Sequence, residues 1–293
     1  DRVLSELRAR TVRFYSANDD HPLPFVNGTL ITPRLAATKL SELSTHRPKL
    51  TCGRSPESAV SFSKVASDRQ LDVAIVRLHH PLDADVSPLV LPLGAPNLTN
   101  LFTGQIIFAG PDAAIGVVAR TNHCETGIEP RLGLSLLEKE GRIIVEIVSP
   151  MGAASDAELL PGDRLIQLAD NNVTDLDDVA GVLSQLQPGD HVVFDVERND
   201  EISRSSGQLT FPADSLLQRT EFLDGRAGEL SRRRTGFTDV IQHDVDLVPS
   251  QMGGPLLDSQ GLCVGINIAR CGRESVLAIP FTRLAHLQKA LLD

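Results

Sequence analysis

The sequence predicts a mainly β fold, an antiparallel body that is interrupted by a small α+β module. From about Thr11 to Arg120, short β-branched segments such as TVRFYS, GTLIT and LDVAIVRL are separated by Gly, Pro, Asn or Asp. This spacing is typical of an antiparallel barrel or sandwich. From about Ile128 to Phe211 strands alternate with two helical stretches, and after about Asp214 short strands return. The β body is therefore expected on both sides of the module.

Two helices are predicted from apolar periodicity and end signals. The second helix of the module is expected to begin after Thr174 or Asp175 as its cap and to stop at Pro188-Gly189. Its apolar face is formed by Leu176, Val179, Val182, Leu183 and Leu186. A last amphipathic helix is expected from about Thr282, with Leu284, Leu287 and Leu291 turned inward.

Composition excludes several classes of partner. The chain has 293 residues, 41% of them apolar, which is enough for about two domains with proper cores. A net charge of −10, the absence of tryptophan and a single tyrosine argue against a nucleic-acid partner. No run approaches the roughly 18 to 20 apolar residues that a membrane span requires. The start at Asp1, without Met or a signal-like segment, predicts a trimmed chain.

The four cysteines do not have the spacing of a metal site. Cys52, Cys124, Cys263 and Cys271 form no C-x-x-C pair, and no histidine stands at ligand spacing from them. We therefore expect neither a metal ion nor another cofactor. The even number permits disulfides without requiring them, which leaves the redox compartment open.

Several motifs resemble those of one protease family. The segment RLGLSL, followed by VSPMGAASDAELLPGDRLIQLADNNV and a helix ending in QLQPGD, resembles the PDZ domain of HtrA-type proteases. The segments GTLITPRLAATKLSEL, LDVAIVRL and VIQHDVDLVPSQMGGPLLDSQGLCVGINIAR resemble the two halves of the trypsin-like protease of that family. The chain is similar to planctomycete-like sequences that carry TKASEL and QHD…CGGP patterns and that suggest an internal position for the module.

The resemblance implies a trypsin-like double antiparallel β-barrel with an inserted α+β PDZ domain. We expect the first barrel at residues 11–95, the second barrel with the C-terminal helix at 96–125 plus 214–293, and the PDZ domain at 126–213. The usual HtrA chain carries PDZ domains after the protease, whereas here the module lies inside the second barrel. Such an insertion is sterically easy because the two ends of a PDZ domain lie close together on its surface.

The resemblance also implies where the catalytic residues would stand. The acid position is Asp72, and the base position is Ser41, or Lys39 if the gap is placed differently. The nucleophile position is Met252, whose thioether has no proton to lose and cannot attack a carbonyl. Ser250 stands where the turn normally has the glycine that donates to the oxyanion. The predicted triad is therefore degenerate.

Histidines elsewhere are poor substitutes for the missing base. His46 lies five residues beyond Ser41, on an expected loop, and His243 is expected to fill a loop contact near the nucleophile turn. His79 and His80 are expected to be solvated.

The remaining functional surface is the predicted PDZ groove. A peptide would add as a strand beside Leu134 to Leu137, with its C-terminal carboxylate held by N–H groups of the loop Arg131-Leu132-Gly133-Leu134. Its last side chain would lie between that strand and the helix that carries Val179 and Val182. Alternatively, these apolar residues belong to the core of the module. That interpretation suits Leu183 and Leu186 better, whereas Leu132, Leu134 and Val179 are better candidates for the groove.

The sequence leaves one function preferred and two alternatives open. It favours a catalytically inactive HtrA-like protein that binds polypeptide C-termini or unfolded protein segments. The alternatives are a serine endopeptidase with an unusual or partner-completed active site, and a structural subunit that forms homo-oligomers. The resemblance implies an exported or periplasmic location. Arg232-Arg233-Arg234 is expected to be a solvated loop, or else an anchor for an acidic partner.

Overall fold

A computed structural model describes most of the chain. The described residues are 2–16, 23–43, 50–82, 89, 101–125, 127, 130–150, 152–211, 229–284 and 287. They divide into two compact units, one made of Asp1–Glu125 with Asp224–Asp293 and the other of Thr126–Leu223. The fold is mainly β, as predicted. The first unit contains two closed barrels, and the second contains an antiparallel sheet with two short helices among its described residues.

The first barrel follows a short helix, α1 (Arg2–Arg10), which the sequence analysis did not predict. Its strands close in the order β1-β2-β3-β6-β5-β4. They are β1 (Thr11–Ser16), β2 (Val26–Thr32), β3 (Leu35–Lys39), β4 (Leu50–Gly53), β5 (Val60–Asp68) and β6 (Val73–Leu78). A single helical turn, α2 (Leu40–Leu43), directly follows β3. Alternating side chains fill the interior, where the Phe14 and Phe62 rings pack edge to face with their centroids 5.2 Å apart.

The second barrel is built from two segments of the chain, one before and one after the other unit in the sequence. Its strands close in the order β15-β18-β17-β16-β7-β8. They are β7 (Ile106–Ala109), β8 (Ala114–His123), β15 (Val240–His243), β16 (Pro255–Asp258), β17 (Cys263–Gly272) and β18 (Ser275–Pro280). The predicted last helix begins as a 3₁₀ turn over Phe281–Leu284, and Leu284 and Leu287 are buried in the core. Leu291 lies outside the described residues.

The second unit is an antiparallel sheet in the order β14-β13-β11-β10-β9, with β12 paired to β11. Its elements are β9 (Leu134–Lys139), β10 (Arg142–Val148), α3 (Ala153–Asp156), β11 (Arg164–Leu168), β12 (Asn171–Asn172), α4 (Leu176–Leu183), β13 (His191–Arg198) and β14 (Glu201–Gln208). Asp175 caps α4, because its carboxylate accepts the N–H of Asp178 at 2.8 Å. Strand β9 pairs only with β10 among the strands described, so it forms an edge of the sheet.

All four cysteines are free thiols, and Cys52 is buried in the first barrel. No group of three or more His, Cys, Asp or Glu within the described residues is placed to hold a metal ion. None of the helices in the described part of the chain is long and apolar enough to span a bilayer.

Candidate functional site

The structure brings Ser41, in α2 after the end of β3, together with Asp72, which directly precedes β6. The Asp72 carboxylate accepts the Ser41 backbone N–H at 2.7 Å and its hydroxyl at 2.9 Å. The Asp72 carbonyl accepts the N–H of Leu40 at 2.8 Å. Both side chains are buried, and Asp72 has a left-handed backbone with φ of 56°, a conformation that Asp tolerates better than most residues. Ser41 therefore donates to both oxygens of the carboxylate.

Lys39 completes this arrangement as a buried ion pair. Its ammonium lies 2.9 Å from Asp72 Oδ2 and donates to the carbonyls of Arg233 and Ile268, each at 2.9 Å. An ammonium has three N–H donors, and these three acceptors occupy all of them. The Arg233 guanidinium approaches the other carboxylate oxygen at 3.9 Å. The carboxylate at the predicted acid position thus lies against two cations and a serine, where a triad would have a histidine.

Met252 is part of the apolar core of the second barrel. Its side chain is 0% exposed and packs with Ile107, Val118 and other aliphatic residues. Its N–H donates to the Pro249 carbonyl at 3.1 Å, which closes the 3₁₀ turn over Pro249–Gln251. In a serine protease the N–H at this position points at the reacting oxygen. Here that N–H is used inside the turn.

Ser250 lies in the middle of the same 3₁₀ turn and is half-buried. The backbone φ angle of Ser250 is not positive, so this residue does not adopt a left-handed conformation. A glycine at this position would gain access to conformations that a serine rarely adopts.

The glycine after Met252 joins the two barrels. Gly253 has φ of 84°, and a Cβ atom on it would lie 2.0 Å from the Asn27 carbonyl oxygen. Its carbonyl accepts the Thr29 hydroxyl at 2.8 Å, and the Met252 carbonyl accepts the Asn27 N–H at 2.9 Å. The Gly-Gly-Pro turn is therefore kept by packing between the barrels, independently of any nucleophile.

His243 is a buried, neutral histidine in β15. Its Nε2 lies 2.9 Å from Asn267 Oδ1, and its Nδ1 accepts the Val245 N–H at 3.3 Å, which places the proton on Nε2. Burial lowers the pKa of His243 to about 4, against the opposing effect of the Asn267 hydrogen bond and of Asp244. His243 is thus a strand residue rather than the loop contact predicted from the sequence. His46 lies outside the described residues.

The low pKa of His243 makes stability depend on pH. The unfolded histidine titrates near 6.5, so between about pH 6.5 and 4 the unfolded chain binds a proton that the folded chain does not. The stabilisation is present above pH 6.5 and is lost as the pH falls toward 4, by about 3 kcal/mol. We expect urea unfolding at pH 7.5 and 4.5 to show a smaller difference for His243→Gln than for the unchanged protein. An equal pH dependence in both would contradict this assignment.

The loop before β9 presents backbone donors. Within the described part of the chain, the N–H groups of Leu132 and Gly133 donate to no protein acceptor, whereas their carbonyls accept the N–H groups of Ala154 and Ser149. Gly133 has φ of 77° and packs closely on Gly152, where a Cβ would lie 3.1 Å from the Gly133 Cα. Two free donors therefore lie at the start of an edge strand.

The predicted groove residues differ in their exposure. Leu134 on β9 and Val182 on α4 are half-buried and pack against the core of this unit from its rim. Leu132 and Val179 are 5% exposed and belong to that core. Leu134 and Val182 are accordingly the accessible members of the set. The sequence favours a core position for both Leu183 and Leu186. Leu186 is buried, whereas Leu183 is half-buried.

Comparison with known proteins identifies the second unit. Residues 130–206 match the family model described as PDZ domain. Over 148 residues the chain is 30% identical to the serine protease Do-like HtrA of Bacillus subtilis (strain 168). This chain is HtrA-like and carries a PDZ domain. The aligned part covers 48% of this chain and 31% of the Bacillus protein, so the match spans about a third of that relative.

Solved structures similar to this HtrA-like chain are distant in sequence. An inactive form of Rv3671c from Mycobacterium tuberculosis H37Rv is 13% identical, with a TM-score of 0.48 over 99% of this chain and 90% of that one. The MamO protease domain from Magnetospirillum magneticum, in its apo form, is 12% identical, with a TM-score of 0.46 over 98% of both chains.

Sequence reasoning missed the cations around Asp72 in this HtrA-like chain. The resemblance implies Lys39 only as an alternative base position and gives no indication that it pairs with Asp72. The expectation that Arg232 to Arg234 form a solvated loop is wrong for two of the three residues: Arg233 and Arg234 are 4% and 3% exposed, and only Arg232 is exposed. For Arg233 the ionic and hydrogen-bond contacts with Asp72 and Gln70 could not be predicted locally, because both residues lie more than 150 positions away in the sequence.

Proposed function

We propose that this chain is a catalytically inactive HtrA-like protein that binds the C-terminal ends of polypeptides through its PDZ domain. The observation that carries the proposal is the pair of free N–H groups at Leu132 and Gly133, at the start of the edge strand β9. Edge strands bind extended peptides through main-chain hydrogen bonds, and such backbone donors capture a terminal carboxylate.

The environment of the loop favours a carboxylate. The Arg131 side chain is exposed directly beside the two donors and adds a local positive charge to a protein of net charge −10. The half-buried Leu134 and Val182 supply apolar surface for the last side chain of the peptide. A few main-chain bonds and one buried side chain suggest a Kd on the order of micromolar.

The contacts around Asp72 and Met252 support the absence of proteolysis. Met252 has no proton to lose, and the carboxylate at the acid position is bound to Lys39 and Ser41. For the alternative of an unusual endopeptidase, Ser41 is the serine that contacts the predicted acid position. That serine is 5% exposed and its hydroxyl donates to Asp72, which disfavours attack on an incoming polypeptide.

Peptide binding is tested by fluorescence polarisation with labelled peptides that end in an apolar residue. We expect Val182→Asp to weaken binding at least tenfold, because it introduces a charge into the apolar surface beside the terminal side chain. Ala180→Asp is the matched control, since Ala180 is exposed on the same helix, and it should change the Kd less than twofold. Amidation of the peptide C-terminus should also cost at least tenfold.

Binding that survives both amidation and Val182→Asp would contradict the groove assignment, and so would the absence of binding to every peptide of a C-terminal library. Binding of unfolded segments, homo-oligomer formation, the absence of nucleic-acid binding and an exported or periplasmic location stay predictions of the resemblance and the composition.

A further inference from the structure

A cavity of about 380 Å³ lies on the second barrel, where the sheet is interrupted at the start of β15. In the register of β8 with β15, Thr121 and Asn122 together oppose Ile241, which makes a β-bulge. On the other side of β15, the pairing with β18 runs from His243 to Ile241. Pro280, near the end of that pairing, has no N–H with which to extend it. The cavity opens between these two irregularities.

Two residues of the cavity wall have a left-handed backbone. Asn122 has φ of 50° and Asp239 has φ of 52°. Asparagine and aspartate adopt this conformation more readily than most residues, yet it is uncommon outside glycine. Such residues and β-bulges are both over-represented at sites that bind ligands.

An ion pair with unused bonding capacity lines this cavity. The Arg283 guanidinium donates through Nη1 to Asp239 Oδ2, and within the described part of the chain neither side chain has another partner. A guanidinium has five N–H donors and a carboxylate has two oxygens, so four donors and the oxygen Oδ1 are left for a ligand. The side chains of Arg283 and Asp239 are 34% and 51% exposed, which makes them accessible from solvent.

The rest of the wall combines hydroxyl, amide and apolar groups. Thr121, Asn122 and Thr282 line the cavity, and their side chains have no hydrogen-bond partner among the described residues. The apolar part of the described wall consists of Leu101, Ile241 and Pro280. The cavity therefore offers an apolar surface next to donors and acceptors that the protein does not use itself.

The opposite charges of the pair favour a ligand that also carries both signs. An anion attracted to Arg283 is repelled by Asp239, and a cation attracted to Asp239 is repelled by Arg283. In an α-amino acid the carboxylate and the ammonium are attached to one carbon atom, so both can meet the pair at once. A carboxylate fits the fork of a guanidinium, and an ammonium has three N–H donors for carboxylate and hydroxyl oxygens.

We propose that this cavity binds a free α-amino acid with an aliphatic side chain. Its carboxylate binds Arg283, its ammonium binds Asp239 and the threonine hydroxyls, and its side chain packs on the apolar part of the wall. A small ligand on a half-exposed ion pair suggests a Kd on the order of 0.1–1 mM. This site is separate from the PDZ groove, and it does not depend on the function proposed for that groove.

The test is an NMR titration of the full, isotopically labelled chain with L-leucine, followed at the amides of Asn122 and Asp239. N-acetylleucine lacks the ammonium, leucinamide lacks the carboxylate, and glycine lacks the aliphatic side chain. We expect each of them to bind at least tenfold more weakly than leucine. This comparison uses the unchanged protein, so it does not require any variant to fold. An affinity equal to that of leucine for any of the three would overturn the proposal.

Variants of the ion pair provide the second measurement. Asp239→Asn and Arg283→Gln should each weaken leucine binding at least tenfold. Asp200→Asn is the matched control for the first, because Asp200 is an exposed aspartate with a left-handed φ of 63°. Arg232→Gln is the control for the second, because Arg232 is exposed outside the cavity. Both controls should bind leucine within twofold of the unchanged protein, and equal binding by all five proteins would contradict the assignment.

The same titration separates this cavity from the PDZ domain, whose backbone donors could also attract the leucine carboxylate. Leucine should shift the amide signals of Asn122 and Asp239 at concentrations that leave those of Leu132 and Gly133 unchanged. Shifts confined to Leu132 and Gly133 would place the amino acid in the PDZ groove and overturn the proposal, while supporting the function proposed for that groove.

Discussion

Replacing Asp72 by asparagine is expected to lower the free energy of unfolding by about 3–5 kcal/mol. Asparagine keeps the shape of the side chain, still accepts from Ser41 and tolerates the left-handed backbone, so the main change is the loss of one negative charge. The Lys39 ammonium is then left buried with two carbonyls and no anion. Urea denaturation at pH 7 measures the difference.

Two further variants separate the ion pair from its surroundings. Ser41→Ala removes one hydrogen bond to the same carboxylate and should cost about 1 kcal/mol. The double variant Lys39→Met with Asp72→Asn removes both charges and should regain more than half of the loss, because an apolar pair often replaces a buried ion pair at little cost. A loss below 1 kcal/mol for Asp72→Asn alone would show that Lys39 does not depend on Asp72.

Restoring a serine at position 252 is expected to produce no protease and a less stable protein. Loss of triad function costs on the order of 10⁶ in rate, and a serine without a histidine keeps a hydroxyl pKa far above neutral. Met252→Ser also removes most of a fully buried side chain and leaves a hydroxyl in an apolar cluster, at a cost of about 2–4 kcal/mol. Hydrolysis of unfolded casein, labelling by a fluorophosphonate probe and urea denaturation measure these effects.

Met252→Leu is the control, because it keeps the volume and apolar character of the site and should cost less than about 1.5 kcal/mol. Neither variant nor the unchanged protein should react with the probe. Faster casein hydrolysis by Met252→Ser than by Met252→Leu would reveal a base beside the turn that the present assignment lacks.

The strands and the α+β module could be predicted because their signals are local, whereas the choice of two barrels over a sandwich came from the family resemblance. Alternating β-branched segments, the Pro161-Gly162-Asp163 turn and the cap at Asp175 each lie within a few residues of the structure that they specify. The assignment of Met252 to the nucleophile position stays a prediction, which rests on the resemblance of the Gly-Gly-Pro sequence that follows it.

The chemistry around Asp72 could not be predicted in the same way. Lys39 is the last residue of a strand, and Arg233 lies in a polar run that has the composition of a surface loop. Whether such a cation is buried depends on which groups the fold places beside it. The partners of Arg233 at Gln70 and Asp72 are more than 150 residues away along the chain, and no periodicity in either segment indicates that pairing.

The insertion of the PDZ domain between β8 and β15 in the sequence has a consequence for the order of events during synthesis. Strand β8 pairs with β15, and Val240 lies opposite His123, so this barrel cannot close until the whole PDZ domain has left the ribosome. Residues Arg131 and Thr210 exchange two hydrogen bonds, of 2.9 and 3.1 Å, which hold the ends of the PDZ domain together. Once folded, the domain converts a long connection into a short one and lowers the entropic cost of closing the barrel by about 1 kcal/mol. The PDZ domain therefore assists the maturation of the barrel that encloses its sequence, and a variant that slows PDZ folding delays that barrel as well.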